Sequence, residues 1–239
     1  MNELALFAGA GGGILGSVLL GHRVVCAVEW DTYCQEVLLR RQEEGHLPAF
    51  PIWDDVRTFD GQPWRGAVDL VSGGFPCQPF SVAGQRAAED DPRNMWPDTI
   101  RIIREVGPRF AFLENVPGLL STPYWGTILG DLAEAGFDAE WCVVGTKQLG
   151  GPSAKERVWC LAAQRDVPGG PVLPERQAAT RPRRATHPDA GYRWKAEPEI
   201  RRVDDGTARW VVQRNRAIGN IQVPIVAARA FQMLMERIC

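Results

Sequence analysis

This chain has no Cys-x-x-Cys pair, only three histidines, and no apolar run that approaches the length of a membrane span. The six cysteines (Cys26, Cys34, Cys77, Cys142, Cys160 and Cys239) are scattered, and His22, His46 and His187 fall among them without ligand spacing. Neither a zinc site nor a disulfide framework is expected, so the metal reading is none. The opening Met1-Asn2-Glu3 passes at once into glycine-rich sequence, which is not the pattern of a signal peptide. A reduced, cytoplasmic protein without membrane attachment is the expectation. Charge of one sign is also lacking: the net charge is −2. That balance advertises no general affinity for nucleic acid, but its distribution is uneven. Between Glu175 and Arg216 there are 11 Lys and Arg against 6 Asp and Glu, which leaves −7 for the remainder. This local excess is suited to phosphate contact, although a solvated polar face has the same composition.

What is present fits a folded enzyme. With 239 residues, 45% of them hydrophobic, the chain can bury one sizeable core beside a small lobe. Strand-like and helix-like segments alternate. Leu4–Phe7, Arg23–Val28, residues 68–71, Phe110–Leu113, Trp141–Val144 and Arg157–Ala162 read as strands, and Ile14–Leu20, Tyr33–Arg41, Thr99–Val106 and Thr127–Ala135 as helices. Such alternation predicts an α/β fold with an open sheet. Past Arg165 the chain turns rich in Pro, Gly, Arg and Thr and loses apolar periodicity, which predicts an inserted loop-rich lobe over 166–209. The main domain is then 1–165 plus 210–239. Its final helix carries the stripe Val223, Val226, Ala227, Ala230, Phe231, Leu234 and Ile238, with Pro224 in the first turn.

Two segments carry chemistry. The run Gly73-Gly-Phe-Pro-Cys77-Gln-Pro-Phe-Ser81 follows a short buried strand, and its glycine hinge and Pro-fixed turn suit the presentation of one side chain in a cleft. A cysteine there is either a nucleophile or a structural thiol in a tight loop. At the other end, Phe7-Ala-Gly9-Ala-Gly11-Gly links a strand to a helix, and Glu29 ends the next strand. That layout suits an adenosine cofactor and is shared by NAD and S-adenosylmethionine sites. The pattern departs from G-x-G-x-x-G, which favours the second. Glu114-Asn115-Val116 leaves a further strand at the edge where open α/β sheets bind ligands, and Arg157 enters another.

Taken in order, Phe7-Ala-Gly-Ala-Gly-Gly, Glu29-Trp30-Asp31, Pro76-Cys77-Gln78, Glu114-Asn115-Val116, Lys155-Glu156-Arg157 and Gly219-Asn220 make the chain resemble the cytosine-5 DNA methyltransferases. The resemblance spans nearly the whole chain. It is nearest to small phage-type or prophage-type members, with Arg93–Pro97 and Arg202–Gly206 also in their usual places. It implies a Rossmann-like S-adenosylmethionine-dependent methyltransferase sheet with a short target-recognition lobe, a monomer acting on double-stranded DNA, and a place in a restriction-modification system. It implies Cys77, Glu114 and Arg157 as catalytic residues, with base flipping. It assigns Phe7, Gly9, Gly11, Glu29, Trp30, Asp55 and Asn220 to the cofactor; Asp54 is an alternative to Asp55. Residues 81–93 would close over the flipped base, and Arg181, Arg183, Arg184 and Arg193 would contact DNA. The chain departs from the family where Ser153 and Lys155 stand for the usual Gln and Arg, and lysine lacks the guanidinium fork. An RNA-directed relative would carry a Cys-Phe-Thr signature, which is absent. A catalytically silent DNA-binding protein on the same fold would not require Cys77, Glu114 and Arg157 together.

Overall fold

Side chains alternate across β1 (Asn2–Leu6), and that alternation sets the layers: Leu4 and Leu6 join one core, while Ala5 joins another on the opposite face. The computed structural model describes residues 1–76, 94–151, 155–165 and 222–238. Cys77, the loop over 81–93, Ser153, the lobe over 166–209 with its arginines, and Asn220 lie outside the described residues.

Seven strands form one sheet among the described residues. After β1 come α1 (Gly12–Leu19), β2 (Arg23–Val28), α2 (Thr32–Glu43) and the two-residue β3 (Ile52–Trp53). These are followed by β4 (Leu70–Gly73), α3 (Trp96–Val106), β5 (Phe110–Asn115), α4 (Tyr124–Glu134), β6 (Phe137–Gly145), β7 (Glu156–Gln164) and α5 (Pro224–Ile238). The spatial order is β3-β2-β1-β4-β5-β7-β6. The first five are parallel, whereas β7 lies antiparallel between β5 and β6.

Helix ends follow local chemistry. Asp31 caps α2 by accepting from the Cys34 amide at 3.1 Å. Pro97 sits in the first turn of α3, and Gly107 at φ 58° ends it. One face of the sheet is covered by Ile100 and Ile103 of α3 and Ile128 and Leu132 of α4, packed on Leu4, Leu6, Val71, Leu113 and Val158. The other is covered by Phe231, Leu234 and Ile238 of α5 over Phe112, Trp159 and Leu161, with Ile14 and Leu38 extending the cover over β1 and β2. The α/β reading and the final helical stripe hold. The β6–β7 hairpin is longer than the sequence predicts, nine residues on each strand, because β7 finds antiparallel partners on both sides. Polar residues within these strands, such as Glu140 and Asp138, hid that length.

Candidate active site

The strand order reverses between β1 and β4, which lie side by side with β2 and β3 beyond one and β5, β7 and β6 beyond the other. Loops leaving the carboxyl ends of two such strands diverge and open a crevice. Phe7 to Gly11 leaves β1 there, and Gly74 to Pro76 leaves β4. The crevice is lined by Phe7, Gly9 and Gly13 on one side and by Gly73, Gly74 and Glu114 on the other, with Gln222 between them.

The first loop turns tightly. Phe7 has φ 52°, the left-handed region that a bulky residue seldom adopts, and Gly9 and Gly11 follow at 53° and 89°. A Cβ on Gly9 would meet nothing within 4 Å, so its backbone faces open space and is accessible to a ligand. Glu29 straps this loop to the end of β2. Its carboxylate accepts from the Gly9 amide at 2.6 Å and from the Asp31 amide at 2.8 Å, and only 9% of the residue is exposed. Burial pushes the Glu29 carboxyl above the ordinary glutamate value, against the two amides that favour its charged form. Trp30, by contrast, is 67% exposed.

Asp55 is engaged in a way the sequence did not signal. Arg57 grips it through Nε at 2.9 Å and Nη2 at 2.7 Å, holding its carboxyl below the usual aspartate range. The same guanidinium lies 4.9 Å from the centre of the Trp30 ring. The structure therefore brings Trp30 and Asp55 together, but through Arg57, a residue that no sequence motif had singled out.

The other wall of the crevice is electrostatic. Glu114, near the end of β5, pairs through Oε1 with Arg157 Nε at 2.7 Å. Antiparallel register puts Glu114 opposite Trp159 and so brings Arg157, two residues before it on β7, to the same edge. Burial raises the Glu114 carboxyl above its ordinary value, while Arg157 and a hydrogen bond from Gln222 oppose that rise. Asn115 fixes the neighbouring loop: its Nδ2 donates to the Phe75 carbonyl at 3.1 Å, just before Pro76 and Cys77. Cys26, Cys142 and Cys160 are buried, and burial pushes their thiols up to about 11, 11 and 12 respectively. Thiols so held are inert at neutral pH. Among the described residues no group of His, Cys, Asp and Glu is placed to hold a metal, and no helix is long and apolar enough to cross a membrane.

Comparison with known proteins agrees with this arrangement. The chain is 34% identical over 169 residues to the type II methyltransferase M.NgoMIV of Neisseria gonorrhoeae, covering 69% of this chain and 52% of that relative. It is 32% identical over 174 residues to the type II methyltransferase M.Eco47II of Escherichia coli, covering 70% and 40%. The chain thus spans about half or less of the length of these relatives. Among solved structures, a mutant of DNMT2 from Spodoptera frugiperda shares the fold, with a TM-score of 0.57 at 22% identity, covering 70% of this chain and 50% of that one. A putative DNA modification methyltransferase encoded within an E. coli prophage does so with a TM-score of 0.54 at 24% identity, covering 69% and 47%. The sheet is therefore a Rossmann-like methyltransferase sheet. The model of the C-5 cytosine-specific DNA methylases matches residues 1–214, a stretch that holds the glycine loop, Glu114 and Arg157, and the chain belongs to that family.

Proposed function

We propose that this chain methylates carbon 5 of cytosine in duplex DNA, with S-adenosylmethionine as methyl donor and Cys77 as covalent catalyst. The observation that carries the reading is the partly buried Glu114–Arg157 ion pair, whose carboxylate lies across the crevice from the glycine turn, beside the loop that leads to Cys77. Family membership supplies the reaction class.

The residues fit the cofactor. The left-handed turn at Phe7 and Gly9 opens backbone to a ligand, and the Glu29 carboxylate, which has lone pairs beyond the two amides it accepts from, faces the same turn. When bound, S-adenosylmethionine supplies an electrophilic methyl group on sulfur. Carbon 5 of cytosine is too weak a nucleophile to take it unaided. A Cys77 thiolate adds to carbon 6 and moves electron density towards carbon 5. Glu114 holds ring nitrogen 3 and the exocyclic amine, sharing a proton as negative charge builds on the ring, and Arg157 supports the base carbonyl. After the methyl group is on carbon 5, loss of the carbon-5 proton expels Cys77 and restores the aromatic ring. None of this is possible within a stacked duplex, so the base is flipped.

The direct test is methyl incorporation from labelled S-adenosylmethionine into duplex DNA and into tRNA, followed by bisulfite sequencing of DNA from cells expressing the protein. Incorporation into duplex DNA, with protected cytosines in one sequence context, is the expected result. Label in tRNA alone would overturn the reading.

Two further outcomes are expected. Glu29→Ala removes the strap on Gly9 and Asp31 and should weaken cofactor binding by about tenfold or more, measured by calorimetry. DNA affinity should fall steeply with salt, with a log–log slope of about −0.9 per phosphate neutralised. Charge reversal at Arg183 and Arg184 should make that slope shallower; an unchanged slope would place the DNA face elsewhere, with Arg181 and Arg193 relieved of the same role.

A further inference from the structure

We propose that Gln222 is a positioning residue for Glu114, a part of the site that neither the motifs nor the family match singles out. The inference rests on the proposed function for its consequence in catalysis, but not for its geometry. Gln222 lies just before α5 and projects its carboxamide into the crevice between the glycine turn and the end of β4. It hydrogen-bonds the Glu114 carboxylate, and because a carboxylate only accepts, the amide nitrogen donates.

Two glycines make room for it. A Cβ on Gly74 would stand 2.6 Å from Glu114 Oε2 and 3.0 Å from Gln222 Nε2, so those two atoms meet over a bare backbone. A Cβ on Gly13 would stand 2.6 Å from Gln222 Oε1. The carboxamide therefore has its nitrogen end at the catalytic carboxylate and its oxygen end at the first turn of α1, on the cofactor side. Arg157 holds Oε1 of Glu114 from β7. Gln222 reaches the carboxylate from the segment just before α5, on the Oε2 side above Gly74, so the two contacts together restrain rotation about its last bond. The two contacts thereby fix the orientation in which the carboxylate meets an incoming base.

Among the described residues, the charged groups around Glu114 are few. Arg157 faces it from β7. From β1, Glu3 shares with it a cavity of about 10 Å3 that Ser72 and Gln222 also line. Glu3 itself accepts from the Ser72 hydroxyl at 2.5 Å, and its other carboxylate oxygen lies 3.6 Å from His22 Nδ1. Of these groups, Gln222 is the neutral one whose removal changes hydrogen bonding to Glu114 without altering net charge.

The test is an infrared titration of the free protein, in which the Glu114 carboxyl band is identified by its loss in Glu114→Gln. Gln222→Leu removes the donor to the charged form and should move that band's midpoint to higher pH by about one unit. Gly13→Ala should displace the carboxamide without touching Glu114 and shift the midpoint in the same direction. In methylation assays, the pH limb that belongs to Glu114 should move with the midpoint. A midpoint unchanged in both variants overturns the proposal, even if activity falls. Shifted midpoints in a protein whose wild type methylates nothing would uphold Gln222 and sink the proposed function instead.

Discussion

Cys77→Ser is expected to lower methyl transfer by ~10⁴-fold or more, in line with removal of other covalent nucleophiles. It should leave cofactor affinity largely as it was. A serine hydroxyl is close to the thiol in size but titrates far above neutral pH, so almost no alkoxide is available for addition to carbon 6. The fold explains why the loss should be confined to chemistry. The loop reaches Cys77 through Gly73, Gly74, Phe75 and Pro76, and its anchor is the Asn115 amide on the Phe75 carbonyl, which the substitution does not touch. Duplex DNA carrying 5-fluorocytosine gives the sharpest readout. Wild type should form a denaturation-resistant adduct, because fluorine at carbon 5 cannot leave as a proton does, and Cys77→Ser should form none. Normal turnover by the variant would remove Cys77 from the mechanism.

Glu114→Gln should reduce kcat by about 10²- to 10³-fold, because an amide cannot share a proton with ring nitrogen 3. The same substitution has a second expected result in stability. Burial raises the Glu114 carboxyl in the fold above its unfolded value. Its contribution is thus fully present at pH below the ordinary glutamate range. It is lost as pH rises through the raised value, because the folded protein must then hold a buried charge. Urea unfolding across this window should show a decline for wild type that is missing in Glu114→Gln. Glu29 is also raised by burial but is common to both proteins, so it cancels in the difference. A flat difference between the two would show that Arg157 and Gln222 offset the burial of Glu114 completely.

The parts of the site that were legible in the sequence are those where backbone geometry demands particular residues. Phe7 to Gly11 needs glycine for its left-handed turn, and Gly74 needs a bare backbone beneath a carboxylate. Such demands leave a mark on local composition. Four of the five parallel strands were legible because apolar runs like Phe110 to Leu113 are buried on both faces, whereas the two-residue β3 is too short to show a pattern. What was not legible depends on partners distant in the chain. The place of β7 between β5 and β6 is a matter of pairing, which periodicity within one strand does not encode. Arg57 reads as an ordinary surface arginine until Trp30 and Asp55 are seen around it. Gln222 sits next to the start of an apolar helical stripe and reads as a polar flank. Its only signal was a side chain able to donate and accept so soon after Gly219-Asn220. Glu3, wholly buried in β1, is hidden in the same way, since its partners Ser72 and His22 come from other elements.

The crossing of α1 and α5 bears on how this protein reaches its native state. A Cβ on Gly16 would stand 2.9 Å from the Pro224 carbonyl and 3.0 Å from the Ala227 Cβ, so the two helices touch almost backbone to backbone. Their segments lie near opposite ends of the sequence. Loop-closure entropy for such a contact must be met before packing returns anything. Until α5 docks, Phe112, Trp159 and Leu161 on one face of the sheet lack the cover of Phe231 and Leu234, and Gln222, which leads into that helix, is not yet beside Glu114. Assembly of the carboxylate site is thereby tied to the slowest kind of contact in the fold, and a partly folded chain carries the strands of the sheet without its aligned carboxylate.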